Sequence, residues 1–120
     1  MSDKNHLGPK GEDIAMEYLQ SRGYTILDTN WKYGKLEIDI IARDRDCLVI
    51  VEVKTRTDDE VAEPEESVTK AKQRKLIRAA NEYVYKRNIR TEVRFDIISI
   101  LLSGDIPHID HIPDAFYPLL

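Results

Sequence analysis

The run Leu48-Val49-Ile50-Val51-Glu52-Val53-Lys54 is an apolar strand that ends in a carboxylate and, two residues later, an ammonium. Side chains on a strand repeat every two residues, so Glu52 and Lys54 stand on the same side of the pleat. Upstream, Glu37-Ile38-Asp39-Ile40-Ile41 interrupts a second apolar strand with two acids at the same spacing. A strand that needed only a core would not place four ionisable groups there. The fold must gather them at one edge of a sheet, where acids and a lysine suit a hard divalent cation and an activated water.

The chain has 120 residues. That is enough for one domain with a real core and too little for two, so residues 1–120 are read as a single domain with 1–7 as a flexible end. The sequence Met1-Ser2-Asp3-Lys4-Asn5-His6 lacks a basic-then-apolar signal pattern, and no apolar run approaches the roughly 20 residues that span a bilayer. A single cysteine, Cys47, excludes a disulfide framework and a multi-cysteine zinc site. These features predict a cytoplasmic protein with no membrane partner.

The net charge of −4 argues against a general polyanion binder, but the charge is segregated. Asp58, Asp59, Glu60, Glu63, Glu65 and Glu66 form an acidic block. Lys70, Lys72, Arg74, Lys75, Arg78, Lys86, Arg87 and Arg90 follow it, opposed only by Glu82. A positive stripe on an acidic protein can still meet phosphates; the alternative is a solvated helix face.

Hydrophobic periodicity predicts a first helix over Pro9 to Arg22, stopped by Gly23. At about 100° per residue, Gly11, Ile14, Ala15, Tyr18 and Leu19 share one face, with Glu12 along its edge. A carboxylate placed there needs a partner. Tyr24 to Asp28 is a short strand, followed by a polar connection through Asn30, Trp31 and Tyr33. Leu36 to Arg43 and Cys47 to Lys54 are strands joined by a tight turn at Asp44-Arg45-Asp46. Ser67 or Thr69 caps a second helix that runs to about Asn88, with Leu76, Ile77, Ala80, Tyr83 and Val84 facing inward and Gln73 in the same stripe. Arg94 to Ile100 is a fourth strand, and Ile106 to Ile112 an optional edge strand, since Pro107 bars a central place.

A hairpin centred on Asp44 and Arg45 sets Asp39 opposite Ile50 and Glu37 opposite Glu52, with all the acids and Lys54 on one face. Asp39 and Glu52 then become diagonal neighbours about 7–8 Å apart at the backbone. A slip of one residue would place them on opposite faces. Converging acids demand a cation or protonation. Mg²⁺ or Mn²⁺ meets that demand, with Asp39 and Glu52 as ligands and Lys54 placed to orient water or offset charge on the reacting phosphate. Glu12 and Gln73 would support the same pocket, and Lys70, Lys72, Arg74 and Arg56 are the candidate phosphate contacts. The bland reading is ordinary cross-strand ion pairing of Glu37, Glu52 and Lys54.

Taken in order, these residues resemble the restriction-endonuclease-like, or PD-(D/E)xK, superfamily. More closely, Gly11-Glu12-Asp13-Ile14-Ala15, Glu37-Ile38-Asp39-Ile40-Ile41-Ala42, Val51-Glu52-Val53-Lys54-Thr55-Arg56, Val68-Thr69 with Lys72-Gln73, and Arg94-Phe95-Asp96 look like the bacterial YraN family. That family is thought to be related to archaeal Holliday-junction resolvases. The resemblance implies an α/β fold, in the order helix, three strands, helix, strand, with a mixed central sheet flanked by helices. It implies Asp39 and Glu52 as metal ligands, Lys54 as the catalytic lysine, Glu12 as the helix carboxylate and Gln73 as a supporting polar group. Leu36 stands where the family commonly has glycine, a departure that touches the strand entry.

The expected function is thus a Mg²⁺- or Mn²⁺-dependent endonuclease cutting phosphodiester bonds in structured or branched DNA, as a homodimer by analogy with the resolvases. The alternative is a catalytically inactive module that binds nucleic acid or a partner on the same fold. His108, Asp110 and His111 are ligand types, but alternation separates His111 from the other two. Trp31 and Tyr33 could stack on bases, although packing is their commoner use. Cys47 begins a strand and reads as a small core residue.

Overall fold

A computed structural model describes residues 4–57 and 68–118, with the side chains described from Lys10 onward. Seven elements follow in order: α1 (Lys4–Ser21), β1 (Thr25–Tyr33), β2 (Leu36–Asp44), β3 (Cys47–Thr57), α2 (Lys70–Arg87), β4 (Val93–Leu102) and β5 (His108–Phe116). The five strands form one sheet in the order β1-β2-β3-β4-β5. All neighbours are antiparallel except β3 and β4, which run parallel and are connected through α2. Only a long crossover can join parallel neighbours, and the helix supplies it. The result is a mixed α/β domain whose five-stranded sheet is flanked by two helices, compatible with a restriction-endonuclease-like core. No described helix is long and apolar enough to cross a membrane.

The sheet has a core on each face. On the α1 side, Ala15 and Leu19 pack with Ile40, Ala42, Val49, Val51, Ile98 and Ile100. On the α2 side, Leu76, Ala79, Ala80 and Tyr83 cover Ile41, Leu48, Ile50, Phe95 and Ile97. Burying a side chain such as Leu19 stabilises by about 1.5–3 kcal/mol. The helix ends follow their sequence signals. Gly23 takes a φ of 90° and closes α1, with its N–H donating to Gln20 O and that of Tyr24 donating to Leu19 O. Thr69 caps α2 by accepting from Lys72 N at 3.2 Å, and Asn88 ends it at a φ of 52°. Ser67, the other candidate cap, and the acidic block Asp58 to Glu66 lie outside the described residues.

Four expectations change. α1 begins at Lys4 instead of Pro9, so it includes part of the end read as flexible. β1 continues to Tyr33, and this takes Trp31 and Tyr33 out of a loop and into the sheet. Their rings do ordinary packing: Trp31 meets Tyr83 edge-on at 5.2 Å and stacks with Tyr33 at 6.5 Å. β5 is a full edge strand. Finally, the β2–β3 hairpin turns at Arg45 and Asp46, because Asp44 pairs with Cys47 and Arg45 adopts a φ of 58°. This moves the register by two residues, an even number, so the paired side chains from Ile40 to Asp44 and from Cys47 to Val51 keep their faces.

Candidate metal and phosphate site

The two-residue change makes Asp39 and Glu52 the next residues beyond the last rung, since the ladder runs from Asp44 and Cys47 to Ile40 and Val51 and stops there. The diagonal arrangement expected from the sequence is replaced by a closer one. Beyond Val51 the backbone pairing gives way to a side chain: Val53 N donates to Asp39 Oδ2 at 2.9 Å. The other neighbour is also interrupted here. β1 pairs Thr29 with Ile40 and Trp31 with Ile38 but skips Asn30, whose φ is 49°. Ile38 and Ile40 belong to opposite cores although they are two residues apart, so β2 turns over locally at Asp39. That distortion swings the Asp39 carboxylate toward β3.

Glu52 is 4 % exposed and is the best-buried carboxylate of the group. Its Oε2 lies 3.6 Å from Lys54 Nζ and 3.5 Å from Lys72 Nζ. Asp39 hydrogen-bonds with Glu52, and its carboxyl is pushed up to about 8. Burial is the largest cause, followed by the Glu52 charge, while the Val53 N–H pulls the other way. Glu12 is also raised, chiefly by burial, against a hydrogen bond with Asn30 and with help from the charges of Glu37, Asp13 and Glu52. Gly11 places it there. A methyl group at Gly11 would overlap the Thr55 side chain, so only glycine lets α1 approach β3 beside Lys54.

Asp39, Glu52, Lys54 and Lys72 therefore meet, with Glu12 within electrostatic reach. Glu37 leaves the group expected from strand alternation: it is exposed and pairs with Lys32 at 3.9 Å. Gln73 donates its amide to Val68 O at 3.1 Å, a bond that secures the entry to α2. Lys72, read as a phosphate contact, points its ammonium at Glu52 instead. Lys70 and Arg74 are exposed on α2, and Arg56 is half-buried, with Nε meeting no hydrogen-bond acceptor among the described residues.

Among the described residues no set of three or more His, Cys, Asp or Glu side chains is gathered as a metal cage. Two carboxylates are nonetheless enough for Mg²⁺, which keeps several waters and takes one or two protein carboxylates, whereas a His- or Cys-based transition-metal site does not fit. The acid pair also has suitable electrostatics: the Glu52 charge is among the causes that raise Asp39, and a cation shared by the two carboxylates would relieve that repulsion.

The raised Asp39 has a consequence for stability in metal-free buffer. Its folded pKa of about 8 exceeds the ordinary 3.8, so the native state holds a proton that the unfolded chain releases. The resulting stability is complete below about pH 4, falls as pH rises and is gone above about pH 8. Urea unfolding in EDTA is expected to show a loss of a few kcal/mol between pH 5 and pH 8, and Asp39→Asn is expected to flatten that slope. An unchanged slope in the variant would remove Asp39 as the source.

Sequence reasoning missed a second polar cluster on the α1 face. Asp96, 1 % exposed, accepts from Arg94 Nε at 2.8 Å, Arg94 Nη2 at 2.9 Å and Asp114 N at 3.0 Å, and bonds His111 Nε2 at 2.7 Å. Arg94 also reaches Asp44 at 3.2 Å and Tyr24 Oη at 2.6 Å, while His111 Nδ1 meets Tyr18 Oη at 3.2 Å. Burial would raise Asp96, yet the bonds from His111, Arg94 and Asp114 outweigh it and hold the carboxyl below its usual range. The signal was an Arg-x-Asp alternation inside an apolar strand.

The comparisons with known proteins place the chain in a family. The model of the family described as "Uncharacterised protein family UPF0102" matches residues 11–100. The chain is similar to UPF0102 proteins of Flavobacterium psychrophilum (47 % identical, 98 % of each chain), Bacteroides thetaiotaomicron (45 %, covering 100 % of this chain and 99 % of the relative) and Christiangramia forsetii (43 %, 98 % of each). The matched stretch runs from Gly11 through Asp39, Glu52 and Lys54 to Ile100, and the chain belongs to the UPF0102, or YraN, family.

Proposed function

We propose that this protein is a Mg²⁺- or Mn²⁺-dependent endonuclease that hydrolyses phosphodiester bonds in structured DNA, branched DNA included, in the cytoplasm. The observation that carries this reading is the contact of Asp39 with Glu52 inside the sheet, with Lys54 Nζ on the same carboxylate. Asp39 and Glu52 would hold the cation, which when bound supplies Lewis-acid charge at the scissile phosphate. Lys54 keeps a positive charge beside the phosphate oxygens and offsets charge that grows as water adds to phosphorus. Lys72 shares the Glu52 oxygen and sets the orientation of that carboxylate. Glu12, its carboxyl raised chiefly by burial, stands at the rim and can relay a proton to or from water. Cutting both strands of a symmetric junction would take a two-fold dimer.

A second reading has one observation in its favour. Two lysines already neutralise Glu52, which a binding module without turnover would also tolerate. Incubation with four-way junction, flap, single-stranded and blunt duplex DNA in Mn²⁺ separates the two. Cleavage of the branched substrates above the duplex, lost in EDTA and in Asp39→Ala, is the expected result. Cleavage that survives in Asp39→Ala refutes the site, and shape-selective binding without cleavage favours the module.

A further inference from the structure

A groove of about 560 Å³ lies between α2 and the end of β5. Lys70, Arg74 and Arg78 stand along one wall at a spacing of four residues, so they share one side of the helix, and all three are exposed. The floor is apolar, formed by Ile77 and Phe116, and Phe116 is fixed in place by stacking on Phe95 at 5.1 Å. Tyr117 lines the groove yet leaves 67 % of its surface open. Among the described residues no acidic side chain lines it, although the chain as a whole carries a net charge of −4.

This combination limits the occupant. A purely apolar partner would leave three cations unpaired, and a simple anion has no use for a fixed aromatic floor. An unpaired polynucleotide uses both, because its phosphates need a basic track and its bases a flat apolar platform. The stripe from Lys70 to Asn81 is about 16 Å long, room for a short stretch of strand. Asn81 adds a side-chain amide for base edges. The groove begins on the first turn of α2, and Lys72, on the other side of that turn, reaches Glu52 at 3.5 Å, so the groove and the acid pair lie at the same end of the helix.

We propose that the groove between α2 and the end of β5 binds an unpaired nucleic-acid strand, with a base against Tyr117 and Phe116 and phosphates along Lys70, Arg74 and Arg78. The inference rests on the nuclease reading in one respect: it names the unpaired segment of a branched substrate as the part recognised. Fluorescence anisotropy in EDTA, with a labelled oligo-dT, a flap and a blunt duplex, tests binding apart from cleavage. The oligo and the flap are expected to bind more tightly than the duplex. Tyr117→Ala is expected to weaken oligo-dT binding by about 10-fold and leave the melting temperature and duplex binding unchanged. Arg74→Ala and Arg78→Ala should each reduce the slope of log affinity against log salt by roughly 0.7.

Unchanged oligo binding in a folded Tyr117→Ala protein overturns the proposal, as does equal affinity for duplex. A dimer in sedimentation that dissociates in Tyr117→Ala also overturns it, by assigning the groove to a second copy. The two readings fail separately. Oligo binding retained in Asp39→Ala without any cleavage in the parent protein supports the groove and sinks the nuclease. Metal-dependent cleavage with Tyr117→Ala indistinguishable from the parent does the reverse.

Discussion

Lys54→Ala is expected to lower metal-dependent cleavage by about 100-fold or more while the protein stays folded, the scale seen when a preorganised charge is taken from a reacting centre. Lys54 is about one-third exposed at its side chain, so its ammonium can meet both solvent-side phosphate and the buried Glu52. Removal does not strand Glu52, since Lys72 remains 3.5 Å from the same oxygen. The informative control is Lys72→Ala. Both lysines pair with Glu52 at nearly equal distance, so a purely structural role predicts equal effects. A chemical role predicts a large loss at Lys54 and a loss of a few fold at Lys72, since Lys72 acts only by steadying the carboxylate. Single-turnover rates on a flap substrate, with melting temperatures alongside, decide between them. Equal losses at the two positions would refute Lys54 as the reacting charge.

The largest stability effect is expected at Asp96. Asp96→Ala should cost about 3–5 kcal/mol, because it leaves a half-buried guanidinium, an imidazole and a backbone N–H without their shared acceptor. Asp44 still holds Arg94 Nη1 at 3.2 Å, but that contact faces the sheet end and cannot serve Nε. Asp96→Asn keeps an acceptor for the Asp114 N–H and should cost less. The pH dependence follows from the lowered carboxyl: its contribution is present above the ordinary 3.8 and is lost as pH falls through the folded value. This window lies on the acid side of the one set by Asp39, so the two can be resolved in one series. Urea denaturation at pH 7 measures the effect, and a cost below 1 kcal/mol would show that the cluster is dispensable.

Much of this was legible in the sequence because its periods are short. Alternation in β2 and β3, the helical stripes and the Gly23 stop required only local rules, and they placed Asp39, Glu52 and Lys54 on one face. The register was not local. Asp44 and Arg45 or Arg45 and Asp46 make equally plausible turns on paper, and the backbone of Arg45 chose the second. Pairing between distant elements was hidden for the same reason. Lys72 precedes Leu76 and Ala79 on the inward stripe of α2, but only the docked helix shows it reaching Glu52. Asp96 and His111, fifteen residues apart on neighbouring strands, become partners through the β4–β5 register alone.

The bond from Val53 N to Asp39 Oδ2 ties chemistry to architecture. At that point a side chain substitutes for a rung of the ladder, so the same carboxylate that would hold a cation also closes the seam between two strands. Mutational drift that discards the acid has to repair the seam too. A lineage that gives up catalysis would then tend to keep an amide or carboxyl at this position, and the outward look of an active site could outlast its use.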